Sequence, residues 1–336
     1  MRSITNTLLL GFLSILLVIA PSRAQTVEER SQAPAPAQAL RVLVWNVLHG
    51  GNDVESGAEK ALEIIRQAKP DVVLMQESYD IDGERGLLGP WIASELGWNS
   101  FQGSSTHLCI LTPLKIEKTY EHDVWHGVGA KLRDKAGRLF IAYSIWIDYR
   151  AYIGYHLRDH PEATDEELLA CETTNSQRLA EAKAIVEHLK AQEHLAAEVP
   201  LLVGGDFNCP SHLDWTTDTA IIGTYRRALP LPVSTLMADT GFIDTYRVVH
   251  PNPVQRPGIT WTPMFRGSAE KPQPLDRIDR LYLHNPEAGP MLMPTAAEVL
   301  PKQWAPLDQP AQQHDFPSDH GAVVIDLNWQ DPKATD

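Results

Sequence analysis

Cysteine is scarce in this chain: 3 in 336 residues, at positions 109, 171 and 209. An odd number excludes complete pairing in an exported protein. Cys109, Cys171 and Cys209 sit in separate contexts without metal-ligand spacing, so they read as small buried hydrophobes with room for one disulfide at most. Basic residues are also in deficit, 29 Lys and Arg against 43 Asp and Glu, for a net charge of −14. That balance excludes tight, nonspecific binding of DNA through a broad basic face. It leaves phosphoester chemistry open, because a bound metal supplies positive charge locally. Internal repeats and linker-like stretches are absent too.

One long apolar run is present, at residues 8–20, after Arg2 and before Ser22-Arg23-Ala24. It is short for a bilayer span, which needs about 20 residues. A positive start, an apolar middle and a small-x-small ending make residues 1–24 a signal peptide cleaved before Gln25. A retained anchor is the competing reading. Residues 25–39, rich in Gln, Glu, Ser, Ala and Pro, read as a flexible leader. The expectation is a secreted or periplasmic monomer with one domain over 40–330 and no membrane segment after cleavage. Loss of Arg2 and Arg23 takes the net charge from −14 to −16.

Short apolar, β-branched runs at residues 41–46, 71–77, 200–206, 277–283 and 321–327 read as strands. Helical periodicity at 55–68 (Ala58, Ala61, Leu62, Ile65) and 175–195 (Leu179, Ala182, Val186, Leu189) places helices before two of them. Elsewhere strands follow one another across loops. This mixture predicts two packed sheets with helices outside. Residues 150–172, 250–275 and 285–319 read as long irregular stretches, the first with a short solvated helix as an alternative around its acidic 165–167.

The strand ends carry the chemistry. Asp206 and Asn208 follow Gly204-Gly205 and would share one side of an extended chain; a turn explains them equally well. Asp319-His320 precedes a buried strand, where the imidazole is a general base, a metal ligand or plain loop chemistry. Asp279, if it reaches His320, would fix the tautomer and stabilise the imidazolium; otherwise it belongs to an ion cluster with Arg277 and Arg280. Glu77 ends an apolar strand, where a carboxylate is costly unless paired or metal-bound. Asn46 ends the first strand in the same manner, or simply turns the chain before Gly50-Gly51.

Taken in order, Trp45-Asn46, Gln76-Glu77, Gly205-Asp206-Phe207-Asn208, Arg277-Ile278-Asp279 and Ser318-Asp319-His320 resemble the motifs of the endonuclease/exonuclease/phosphatase family. The resemblance implies an α/β fold, a four-layer α/β/β/α sandwich of two packed mixed sheets with outer helices. It implies a divalent-metal-dependent phosphoesterase using Mg²⁺, or Mn²⁺ or Ca²⁺. Glu77 would be the main metal ligand, helped by Asn46 and Asp319. His320 paired with Asp279 would activate water, and Asp206 with Asn208 would orient the phosphate. Substrates would be phosphate esters, nucleic acid among them.

One position departs from the family pattern. Trp146 stands where many members carry a histidine, and indole does not exchange a proton. Tyr149, Arg150, Tyr152 and His156 are candidates to take over; some relatives use a tyrosine nearby, which points to Tyr149 or Tyr152, and Tyr149 is taken as the catalytic candidate. Trp215 and Trp261 read as packing under loops, and His212 with Asp214 as a weak second-ion candidate. Two alternatives to the general phosphoesterase remain. One is a noncatalytic binding module, which Trp146 would favour. The other is a sphingomyelinase-like lipid phosphodiesterase, which would want an exposed apolar hairpin.

Overall fold

The computed structural model describes residues 39–306 and 308–330. The expected signal peptide, and the leader up to residue 38, lie outside the described residues. Along the chain, strands β1 (Leu40–Asn46), β2 (Val72–Gln76), β3 (Asn99–Phe101) and β4 (Cys109–Thr112) come first, with helices α1 (Gly57–Ala68) and α2 (Leu88–Leu96) between them. A run of β5 (Lys115–Asp123), β6 (Gly127–Arg133) and β7 (Leu139–Trp146) leads to α3 (Ile153–Asp159), α4 (Asp165–Ala170) and α5 (Arg178–Ala191). Then come β8 (Leu201–Asp206), α6 (Thr217–Ile221), α7 (Pro232–Asp239), β9 (Ile243–Asp244) and α8 (Thr245–Val249). The last strands are β10 (Asp279–His284), β11 (Met291–Leu300) and β12 (Ala322–Gln330).

The strands form two six-stranded sheets, ordered β11-β12-β1-β2-β4-β3 and β5-β6-β7-β8-β10-β9. Each is antiparallel except for one central parallel pair, β1 with β2 and β7 with β8. Side-chain alternation divides every central strand between two cores. Val42 and Val44, Leu74, Ala142, Leu202 and Leu281 point between the sheets. Leu43, Trp45, Val73 and Met75 face outward under α1 and α2. Ile141, Tyr143, Ile145, Leu201 and Val203 face outward under α5 and α7. The result is the expected four-layer sandwich. Gly204 lets the sheets close on each other, since a Cβ there would meet Val44 and Leu74 at 2.8 and 2.7 Å.

All five expected strands are present, shifted by a residue or a few. Residues 150–172 hold two helices, α4 starting from Thr164, whose side chain and that of Glu167 cap each other's backbone. The stretch 285–319 is not irregular throughout: it holds β11, the edge strand beside β12, with a register shift between Pro294 and Ala296. Only one side of an edge strand pairs, so Pro294 is tolerated there. All three cysteines are buried and unpaired. Among the described residues, no helix is long and apolar enough to cross a membrane.

Candidate active site

The inward face of the sandwich turns polar at one end. Continuing the inward alternation past Val44, Leu74, Gly204 and Leu281 leads to Asn46, Gln76, Asp206 and Asp279, all fully or almost fully buried. Register holds them level: Asn46 lies opposite Gln76, Trp146 opposite Asp206, and Asp206 opposite Asp279. The start of β12 brings His320 to the same mouth. There Ser318 Oγ donates to the Asn46 carbonyl at 2.6 Å and accepts from His320 N at 3.0 Å. Trp45 on the outer face donates its indole N–H to the His320 carbonyl at 3.0 Å.

Glu77 reaches the mouth by a turn, not by continuing the strand. β2 ends at Gln76, and Glu77 adopts φ 59°, an uncommon left-handed conformation for a non-glycine residue. Its Oε1 accepts from Asn46 Nδ2 at 2.9 Å, and the same amide donates to Asp206 Oδ2 at 3.1 Å. Asn208 also turns, at φ 49°, so it does not share a side with Asp206 by extension. Its backbone N–H donates to Asp206 Oδ1 at 2.8 Å and its Nδ2 to the Ile147 carbonyl at 2.8 Å.

His320 Nδ1 lies 2.9 Å from Asp279 Oδ2, the pairing expected of a positioned imidazole. The competing ion cluster does not form: Arg277 pairs with Asp214 and Asp244, and Arg280 donates to the Cys209 carbonyl. Thr260 Oγ1 holds the backbone N–H groups of Ile278 and Asp279 at 3.0 and 3.1 Å. On its other side His320 Nε2 faces Asp206 Oδ2 at 3.8 Å and Asp319 Oδ1 at 3.9 Å. Asp319 Oδ2 accepts from the Trp261 indole at 3.2 Å. Its Oδ1 is buried with no hydrogen bond among the described residues.

Charge at this mouth is unbalanced. Burial pushes the Asp206 and Asp319 carboxyls up despite the pull of His320. Burial alone would lower His320, but the carboxylates of Asp279, Asp206 and Asp319 outweigh it and hold the imidazole well above its ordinary value. The orphaned Asp319 oxygen and the surplus of carboxylates fit a divalent cation. Asp206, Asp279 and His320 present ligand atoms all within 4.8 Å of one another. Asp279 is already engaged by Nδ1, and Asp206 and Asp319 both face Nε2, while Asn46 ties Asp206 to Glu77.

The candidates around Trp146 divide clearly. Arg150 is taken up by Asp148 at 2.8 Å, Tyr152 bonds buried Asp276, and His156 packs on His160. Tyr149 remains at the rim, 63% exposed, its ring 6.0 Å from that of Trp146. Trp146 itself meets the His107 ring edge-on, with its buried Nε1 lacking a partner among the described residues. Trp215 is packing, bonded to Asp276, whereas Trp261 forms a wall of the site. His212 bonds Ser234, and Asp214 serves Arg247 and Arg277, so neither is placed for a second ion. Thr260 and His49, the latter donating its backbone N–H to Glu77 Oε2 at 2.8 Å, carried no separate signal in the sequence.

Comparison with known proteins bears on the family and the fold. A sequence model described as the endonuclease/exonuclease/phosphatase family matches residues 43–320. An uncharacterized Caenorhabditis elegans protein, F14F9.5, is 30% identical over 308 residues, covering 89% of this chain and 94% of that one. Among solved structures, D. rerio TDP2 complexed with a single-strand DNA product superposes with a TM-score of 0.54 at 14% identity, covering 86% of this chain and 99% of that chain. The human Nocturnin catalytic domain with bound sulfate gives 0.53 at 16% identity, covering 87% and 95%. At such identities these two structures speak for the fold.

Proposed function

The chain belongs to the endonuclease/exonuclease/phosphatase family, and on that footing we propose that it hydrolyses phosphate esters by in-line attack of water, with a divalent cation held at Glu77, Asn46 and Asp319. The observation that carries this reading is the buried His320–Asp279 pair at 2.9 Å, with Nε2 directed toward a carboxylate-rich mouth.

Asp279 accepts a hydrogen bond from Nδ1–H, which leaves Nε2 as the face that takes a proton from the attacking water. Thr260 and Trp45 hold the two partners through the Asp279 backbone N–H and the His320 carbonyl, so the pair is preorganised. Asp206, fixed by Asn46 and the Asn208 N–H, orients the water and the phosphate. A bound cation would supply positive charge to the phosphate oxygens and offset the carboxylate field that otherwise keeps His320 protonated. Tyr149 at the rim is proposed to contact the leaving group in place of the histidine that Trp146 replaces.

The test is EDTA-reversible hydrolysis across DNA, RNA, sphingomyelin, inositol phosphates and simple phosphate esters. Activity on at least one, abolished by EDTA and restored by Mg²⁺ or Mn²⁺, is expected. Activity that EDTA leaves intact would remove the cation from the mechanism, and no activity on any ester would favour the second reading, a noncatalytic binding module, for which Trp146 is the supporting observation. Export is proposed from residues 1–24, and secreted material beginning near Gln25 is the expected finding.

A further inference from the structure

Beside the mouth a second imidazole–carboxylate pair stands over Glu77. His49 opens a short turn, His49–Gly51, at φ 48°, directly after the end of β1. The turn is braced on both sides. Asn46 Oδ1 accepts from Leu48 N at 3.1 Å, and Gly50 packs so close to the Tyr79 carbonyl that a Cβ would meet it at 2.9 Å. His49 is thus held against the segment that carries Glu77. Its backbone N–H bonds Glu77 Oε2 at 2.8 Å, and its ring Nε2 lies 4.0 Å from the same oxygen. Asp53 Oδ2 sits 2.7 Å from the other ring nitrogen, Nδ1.

This arrangement has the chemistry of a metal-binding histidine. Such imidazoles donate one N–H to a carboxylate, which fixes the tautomer and leaves the opposite nitrogen's lone pair for the ion. Asp53 fills the carboxylate position, and Nε2 is the nitrogen turned toward Glu77. Two ligand bonds of about 2.1 Å each span at most about 4.2 Å, so a separation of 4.0 Å is within the reach of one shared cation. The ring is 63% exposed, so it opens to solvent at the mouth and can take an ion without breaking a buried contact.

We propose that His49, oriented by Asp53, is a further ligand of the cation held at Glu77. This rests on the metal-dependent reading above. A mixed imidazole–carboxylate site suits borderline ions better than Mg²⁺ or Ca²⁺, which prefer oxygen alone. His49 would therefore tilt the site toward Zn²⁺ or Fe²⁺, with Mn²⁺ gaining less from the imidazole but still more than Mg²⁺.

The test uses Mn²⁺ as probe on the full chain without substrate, read by calorimetry and by electron spin-echo modulation from a coordinated imidazole ¹⁴N. Wild type should show the ¹⁴N modulation. His320→Ala should keep it, and His49→Ala and His49→Gln should lose it while binding Mn²⁺ about tenfold more weakly. Asp53→Asn should weaken Mn²⁺ by a similar factor and Mg²⁺ less. Modulation that survives in both His49 variants overturns the proposal. So does Mn²⁺ binding that depends on Glu77 yet shows no ¹⁴N signal in wild type, and that outcome leaves the hydrolase reading standing. Absent binding, or binding indifferent to Glu77→Gln, overturns both.

Discussion

Two charge clusters lie within a few residues of each other in this molecule, and they are built on opposite plans. In one, Arg277 reaches Asp244 at 2.7 Å and Asp214 at 2.9 Å, and Arg247 reaches Asp214 at 2.6 Å. Two guanidiniums meet two carboxylates, fully buried, and the charges cancel. In the other, which starts two residues later at Asp279, the carboxylates of Asp206, Asp279 and Asp319 surround one imidazole, and Glu77 joins them through the Asn46 amide it shares with Asp206. A protein interior tolerates the first because each charge has its partner. The second is stable only with protonation or an added cation. The balanced cluster serves the fold, and the deficient one is where a ligand is needed.

The contrast breaks most sharply at Glu77. Glu77→Gln should lower turnover by roughly a thousandfold or more by removing the main metal contact, measured as kcat on the best ester with Mg²⁺ in excess. His320→Ala should cost about 100- to 10,000-fold, and Asp279→Asn less but still a large factor, in the same assay. A nearly wild-type rate in the His320 variant would remove the proton-acceptor role.

Stability should respond with opposite signs in the two clusters. Asp214→Asn strips a partner from Arg277 and Arg247 and should destabilise the fold by roughly 3–5 kcal/mol in denaturant unfolding. Asp319→Asn removes one of the surplus carboxylates, whose charged form burial already disfavours. It should raise the Tm of EDTA-treated protein by a few degrees, on the order of 1 kcal/mol, while reducing metal-dependent activity. If both substitutions destabilise alike, the distinction between the clusters fails.

The smallest expected effect lies outside both. In the turn between β5 and β6, His126 bonds Asp123 at 2.8 Å and approaches Glu181 at 3.4 Å. Glu181 and then Asp123 hold its pKa up to about 9 against the opposing effect of burial. Because the folded value is raised, this contribution is complete below the unfolded value of about 6.5 and disappears as pH rises through about 9. The Tm gap between wild type and His126→Gln should therefore narrow across that window. A gap that widens with pH would reverse the assignment.

Much of the mouth was legible because short apolar runs end in Asn46, Glu77 and Asp206 and another begins at Asp279, and alternation places Asn46, Asp206 and Asp279 between the sheets. The turn at Glu77 was not legible: nothing local in Gln76-Glu77-Ser78 announces a left-handed residue. Neither was β11, where Pro294 masks a strand whose backbone pairs on one side only. Trp261 and Thr260 belong to a stretch without regular structure, and only the tertiary bridges from Trp261 to Asp276 and His320 bring them to the site. His49 carries no signal in the sequence, because its partner Asp53 and its neighbour Glu77 become meaningful only in three dimensions. Trp146 was visible as a departure, yet its contact with His107 depends on cross-strand packing.

The most direct measurement is the pKa of the His320 imidazole, followed by NMR in EDTA-treated protein and again with saturating Mg²⁺. The account predicts a value well above the ordinary one without the ion, falling substantially when Mg²⁺ occupies the carboxylates around it. An imidazole that titrates identically in both conditions would show that no cation enters this mouth.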